Sequence, residues 1–295
     1  MTEYKKMRIT PDMARAFLDN NYDGNRHINK RTVSTIANDM NNGLFVSDNG
    51  QTITITSDGR LVDGQHRMAA LTESGKALDF LVCVIEPERI SSVFSTIDVG
   101  KPRSLSQFVG GKDCAGTSAL ARVDYAFRMG TATLAMSLDG HINGTSVRAS
   151  TPVLAKWHDD NREMLEQAYK QGKRVSLNTR CGNPTAIGSA IILLNYLGLD
   201  QRVDEFVNDL CSLTPTRQVS GAFIRKAAKV RAESLTRGSA LRRELALCFL
   251  TAYDGWCDGG GMRGITRTDK TLAKYDNLLR LQREIDRSPI VPYAG

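Results

Sequence analysis

The stretch Asp58-Gly59-Arg60-Leu61-Val62-Asp63-Gly64-Gln65-His66-Arg67 carries a strand pattern to a glycine and starts a helix pattern at once. Without a Cβ, Gly64 allows a sharp turn and close approach by a ligand. The first N–H groups of the helix behind it have no intrahelical partners, and the helix dipole adds positive charge at that end. A helix start of this kind is a ready anion site. His66 and Arg67 add a ring donor and a guanidinium fork suited to phosphate oxygens. Asp63 could orient His66, hold a metal, or cap the helix. The plainer alternative is an Asp-capped helix with an exposed arginine.

A second constellation is Thr96-Ile97-Asp98-Val99-Gly100-Lys101-Pro102-Arg103-Ser104. Asp98 is a candidate metal ligand or base, and Lys101 with Arg103 could complete a phosphate cage. A loop of this composition is also an ordinary solvated turn. His27 reads as a surface residue, His141 as part of a Gly-rich loop that could be a mobile lid or a connector, and His158 as a core-edge residue. Their dispersion argues against a zinc or iron centre.

Charge supplies a third lead. The chain has 295 residues and a formal net charge of +7. Residues 1–100 are net −2, residues 101–200 net +4 and residues 201–295 net +5. Between Arg217 and Arg243, eight basic residues face one acid, Glu233. That asymmetry points to a polyanion at the C-terminal half, against the alternative of a solvated helix face. Arg225, Lys226, Lys229 and Arg231 turn away from a Phe223, Ala227 and Val230 stripe, a pattern that could follow phosphates without reading bases.

The elements that must position these residues fall into two regions. Thr10 caps an expected helix Pro11–Asp19, with proline at its first position. A second helix runs from about Lys30 to Asn41, with Val33, Ile36, Ala37 and Met40 on one face. Gln51–Thr56 alternates Thr and Ile, Ser57-Asp58-Gly59 turns, and Arg60-Leu61-Val62 resumes as strand, which is a hairpin signal. An amphipathic helix His66–Glu73 follows, then an apolar strand Leu78–Ile85, and Pro87 opens a further helix. From about residue 104 helical periodicity dominates, over 117–129, 152–171, 184–197, 200–212, 220–236 and 239–257. Strands in the first third and helices after it predict an α+β chain with a boundary near 105–115.

Composition bounds the classes. The chain is 41% hydrophobic and 24% charged, as expected for a packed globular protein. No apolar run reaches the roughly 18–20 residues that span a bilayer. The N-terminus has no apolar segment of the secretory type, and six scattered cysteines without a C-x-x-C pair predict reduced thiols in a cytoplasm.

From Gly59 through Leu71 the sequence resembles the Asp-Gly-Gln-His-Arg form of the ParB/sulfiredoxin-like superfamily, in variants common among phages of actinobacteria. The resemblance covers roughly residues 8–110, including the helix ending in Asn41-Asn42-Gly43, the hairpin, the apolar strand and Ser95 through Ser104. Leu241-Arg242-Arg243 through Ala252-Tyr253-Asp254-Gly255-Trp256 is similar to the second half of those phage proteins. It implies a ParB/sulfiredoxin-like domain over residues 1–110 and a mostly α-helical domain over 111–295. In that superfamily ParB proteins bind and hydrolyse CTP, sulfiredoxins use ATP, a free-serine kinase carries Asp-Gly-His-His-Arg, and some relatives are described as nucleases.

Carried onto this chain, the resemblance implies a phosphate loop of Gly64, Gln65, His66 and Arg67, to which the residue reading adds Lys101 and Arg103. The expected ligand is a nucleoside triphosphate, ATP or CTP, with Mg²⁺ on Asp63 or Asp98 answering its charge, or with one of these acids as base. Asp63, His66 and Asp98 would then hydrolyse it or transfer a phosphoryl group. Gln65 stands where sulfiredoxins have their catalytic cysteine, so sulfinic-acid repair is not expected. Gln65 and His66 also replace the Glu and Arg of the ParB loop, which leaves the base open. The expected partner is nucleic acid, DNA first, met through Arg225, Lys226, Lys229 and Arg231. A homodimer is compatible with this reading and a membrane partner is not expected. The alternatives are a DNA-binding regulator, with or without nucleotide as a switch, and a ParB-like nuclease.

Overall fold

A computed structural model of the chain describes residues 2–94, 96–97, 104–110, 113–130, 132–138, 149–180, 183–233, 238–259, 261–266 and 268–287. The fold is α+β, in two compact units. Residues 1–103 with 146–153 form one, and residues 104–145 with 154–295 form the other. Among the described residues no helix is long and apolar enough to cross a membrane.

The first unit is built on four strands, β1 (Glu3–Ile9), β2 (Thr52–Thr56), β3 (Leu61–Asp63) and β4 (Leu78–Ile85), in the order β1-β4-β2-β3. β1 runs antiparallel to β4, β4 parallel to β2, and β2 antiparallel to β3, with a register shift at Thr54/Ile55. The expected hairpin is the β2–β3 pair, turned at Gly59 with φ +88°. β1 has no apolar alternation in its first half and is exposed over Glu3–Lys6; pairing with β4 makes it a strand. Strand geometry sends alternate side chains to opposite faces. Ile53, Ile55, Phe80 and Val82 therefore meet helices α1 (Pro11–Asp19), α2 (Lys30–Asn41) and α3 (Gln65–Ser74). On the other face, Cys83 and Ile85 meet Ile90 and Phe94 from the short helix α4 (Ile90–Phe94).

α1 starts as its sequence dictates, with Thr10 Oγ1 accepting from Met13 N at 3.3 Å and Pro11 in the first turn. α2 is capped by Asn29, whose side chain accepts from Thr32 N at 3.1 Å. On its inner face Asp39 is buried, and Ser150 Oγ donates to its carboxylate at 2.7 Å. Burial pushes the Asp39 carboxyl above its ordinary value, and the Ser150 bond only partly opposes this. A carboxyl raised in the folded state binds its proton more tightly there than in the unfolded chain. Its ionisation therefore weakens the fold as pH rises through the folded value. Asp39→Asn is expected to stabilise the protein at neutral pH, with the gain shrinking towards pH 4. Paired melting curves at pH 7.5 and pH 4.5 check this; a variant less stable at both would contradict it.

The second unit is helical: α5 (Leu105–Val109), α6 (Cys114–Met129), α7 (Leu134–Leu138), α8 (Thr151–Asp160, whose first three residues group with the first unit), α9 (Arg162–Thr179), α10 (Pro184–Tyr196), α11 (Val203–Leu210), α12 (Gln218–Glu233), α13 (Ser239–Cys257) and α14 (Thr268–Arg287). The single helix expected over 152–171 is broken at Asn161 into α8 and α9. α10 is buried on almost every side, as its run of aliphatic residues requires. The C-terminus of α6 is capped from afar by the buried guanidinium of Arg283, which donates to the carbonyls of Ala126, Phe127 and Ala132 at 2.6–2.7 Å. A planar fork suits several carbonyls at once, which a lysine ammonium would not.

Candidate nucleotide cleft and basic helix

α3 begins at Gln65, and its N-cap is Gly64 at φ +104°. That backbone region favours glycine. A Cβ at Gly64 would also lie 2.5 Å from Ile53 Cδ1, so the turn needs glycine for space as well. The cap carries no side-chain hydrogen bond, so Asp63 does not cap the helix. The first N–H groups of a helix have no partner within the helix itself.

The start of α3 lines an open cleft of about 730 Å³. Pockets of about 300–1,000 Å³ hold ligands of nucleotide size. Gly64, Gln65, His66 and Arg67 form one wall, Arg26 and Thr32 another, and Val62, Phe94 and Ile97 supply apolar surface. Two helix starts meet here. The backbone N–H of Asn29, the cap of α2, donates to His66 Nε2 at 3.1 Å. An accepting Nε2 puts the ring proton of neutral His66 on Nδ1. The positive ends of α2 and α3 thus converge on one opening.

The expected loop residues have divided roles. Gln65 is buried; its Oε1 accepts from Asn21 Nδ2 at 3.1 Å and its Nε2 donates to the Arg26 carbonyl at 2.8 Å. Its side chain therefore holds the 21–26 loop in place. Arg67 is likewise committed to the protein. Its guanidinium donates to the Thr52 carbonyl at 2.7 Å, the Gln51 carbonyl at 3.3 Å and Asp63 Oδ2 at 3.1 Å. Sequence spacing could suggest the Asp63–Arg67 pair, four residues apart, but not the two carbonyls from β2.

Asp63 is the one acid among the described residues lining the cleft. Arg67 orients its Oδ2, while Oδ1 has no partner among the described residues. No group of three or more His, Cys, Asp or Glu side chains is placed to hold a metal among the described residues. A cation at Asp63 would therefore share its coordination with ligand oxygens, as Mg²⁺ commonly does beside a single carboxylate. Asp98, Lys101, Arg103 and His141 lie outside the described residues.

In the second unit the basic residues of α12 do not form one even row. Phe223 and Ala227 are buried and Val230 packs beside them, which puts Arg225, Lys229 and Arg231 on the outer side. Lys226 is half-buried on the α13 side, near Cys248, whose thiol is pushed up to about 12 by burial and the Glu244 charge. Arg231 donates to the Arg180 carbonyl at 2.8 Å, and Arg225 to the Arg263 carbonyl at 3.1 Å. His158 is a core residue, with Nε2 3.0 Å from Thr117 Oγ1.

No protein-family model, curated protein or solved structure matches the chain.

Proposed function

We propose that the first unit binds a nucleoside triphosphate with Mg²⁺ in the cleft at the start of α3. The observation that carries this reading is the uncapped N-terminus of α3 opening, beside the start of α2, into a space of nucleotide size with apolar walls. In this reading the phosphates take the N–H groups of Gln65 to Arg67, and the base lies against Phe94 and Ile97. Asp63 Oδ1 would hold the cation, and Mg²⁺ would supply charge neutralisation on the phosphate oxygens. Arg67 acts as a positioning residue that fixes the Asp63 carboxylate. His66, held at Nε2 by the Asn29 N–H at the start of α2, offers a hydrogen bond to the ligand.

Hydrolysis or phosphoryl transfer is the activity proposed for that ligand, with nucleic acid as the partner of the basic second unit. A nucleotide-binding regulator is the second reading. The commitment of Arg67 to main-chain carbonyls favours it, because that charge is not left to stabilise a transition state.

The test is thermal unfolding of the whole protein with ATP, CTP, GTP or UTP, each with and without Mg²⁺. A ligand at about 100 times its Kd adds about 2.7 kcal/mol and shifts the transition by several degrees. Asp63→Asn keeps an oxygen for Arg67 and is expected to fold while losing the Mg²⁺-dependent part of the shift. No shift for the wild type with any of the four would overturn the proposal. Release of inorganic phosphate from the bound nucleotide then separates the enzyme from the regulator.

A further inference from the structure

The helical unit holds a pocket of about 440 Å³ whose described lining includes Arg217, Arg225 and Arg263 and no acid. Three arginines lining one opening concentrate positive charge there, and like charges repel unless something answers them. Among the described residues, none of the three is ion-paired. Arg67, Arg128, Arg162 and Arg202, by contrast, each meet a carboxylate.

Two of the three arginines are also held by the protein. Arg217 donates to the Trp256 carbonyl at the end of α13 and lies 4.1 Å over the Trp256 ring. Trp256 is itself held by Asp209, whose carboxylate accepts from its Nε1 at 3.1 Å. Arg225 reaches the Arg263 carbonyl, which ties α12 to the segment bearing the third arginine. Gly221 makes room for this: a Cβ there would lie 3.3 Å from Arg225 Nη1. Glycine costs about 1 kcal/mol relative to alanine inside a helix, so its presence on α12 needs a local reason. Accommodating the folded-back guanidinium is one. The Arg263 guanidinium has no hydrogen-bond partner among the described residues, although its carbonyl is engaged.

We infer that Arg217, Arg225 and Arg263 form a binding site for a dianionic phosphate group, either on a small molecule or at the phosphorylated end of a nucleic-acid strand. Three forked donors match a group bearing two negative charges and several oxygens. An isolated phosphodiester carries one charge and answers less of the site. The site lies in a different unit from the nucleotide cleft and does not rest on that reading.

The experiment is calorimetric titration of the whole protein with inorganic pyrophosphate, for the wild type, R225Q/R263Q, R225K/R263K and K229Q. The arginine side chains changed here are exposed, so the melting profiles should match the wild type. The expected result is loss of one pyrophosphate per chain, or at least about tenfold weaker binding, in R225Q/R263Q. Partial retention is expected in R225K/R263K, because lysine keeps the charge without the fork, and no change is expected in K229Q. Any pyrophosphate taken by the nucleotide cleft persists in all four proteins, which separates the two sites.

Competition by a single-stranded oligonucleotide then identifies the source. Stronger competition by the 5′-phosphorylated form than by the 5′-hydroxyl form assigns a strand end, and equal competition assigns a small phosphate compound. Unchanged binding in R225Q/R263Q, or an equal loss in K229Q, would overturn the inference, the latter by showing a diffuse basic surface.

Discussion

Replacing Asp209 by alanine is expected to destabilise the helical unit by about 3–5 kcal/mol, the largest effect of any single change considered. Asp209 sits near the end of α11 and is almost fully buried. Its Oδ1 accepts from both N and Oγ1 of Thr216 at 2.6 Å, and its Oδ2 from Ser220 Oγ and Trp256 Nε1. Alanine would strand these donors, at least two of them inside the protein. Burial pushes the Asp209 carboxyl up, but the bonds from Ser220, Thr216 and Trp256 outweigh it and hold the group below its ordinary value. A lowered folded value means the stabilisation is present above the unfolded pKa and is lost as pH falls through the folded one. The difference between wild type and Asp209→Asn should accordingly be full at pH 7 and fade below about pH 4. Both tryptophans, Trp157 and Trp256, lie in this unit, so denaturant unfolding followed by tryptophan fluorescence reads it directly. A loss under about 1 kcal/mol for Asp209→Ala would contradict the account.

Arg67→Met should lower the stability of the ligand-free first unit by about 2–3 kcal/mol. Methionine keeps much of the apolar stem but leaves the Gln51 and Thr52 carbonyls and the Asp63 carboxylate without their donor. Arg67→Lys should recover only part of the loss, since one ammonium cannot span three acceptors in the same geometry. Amide exchange over Thr52–Thr56 and Gln65–Ser74 reads this unit separately from the other. A pure phosphate ligand would behave differently: its removal would leave the ligand-free protein unchanged and abolish only binding. That outcome would show that Arg67 belongs to the ligand and not to the turn.

The contrast over Arg67 shows what the sequence could and could not carry. Local signals were legible because their physics is local. Thr10-Pro11 starts α1, the Thr/Ile alternation with Ser57-Asp58-Gly59 makes the hairpin, and Gly64 ends a strand and opens α3. Apart from the Asp63–Arg67 pair, the roles of Gln65 and Arg67 were not legible, because their other partners lie 15 to 44 residues away. β1 was missed because its exposed half shows no apolar alternation and only the β4 edge makes it a strand. The charge between Arg217 and Arg243 was visible as a concentration, and it led to a helix face. The pocket needed Arg263, which the α12–α13 hairpin and the following segment bring back beside Arg217 and Arg225.

The most direct test of the nucleotide reading is a crystal structure of the protein grown with Mg²⁺ and a saturating non-hydrolysable nucleoside triphosphate. The account predicts phosphate oxygens about 2.7–3.2 Å from the backbone N–H groups of Gln65, His66 and Arg67. It also predicts the cation on Asp63 Oδ1 and the base against Phe94 and Ile97. A nucleotide bound elsewhere on the chain, or crystals in which the cleft at Gly64 holds none, would contradict it.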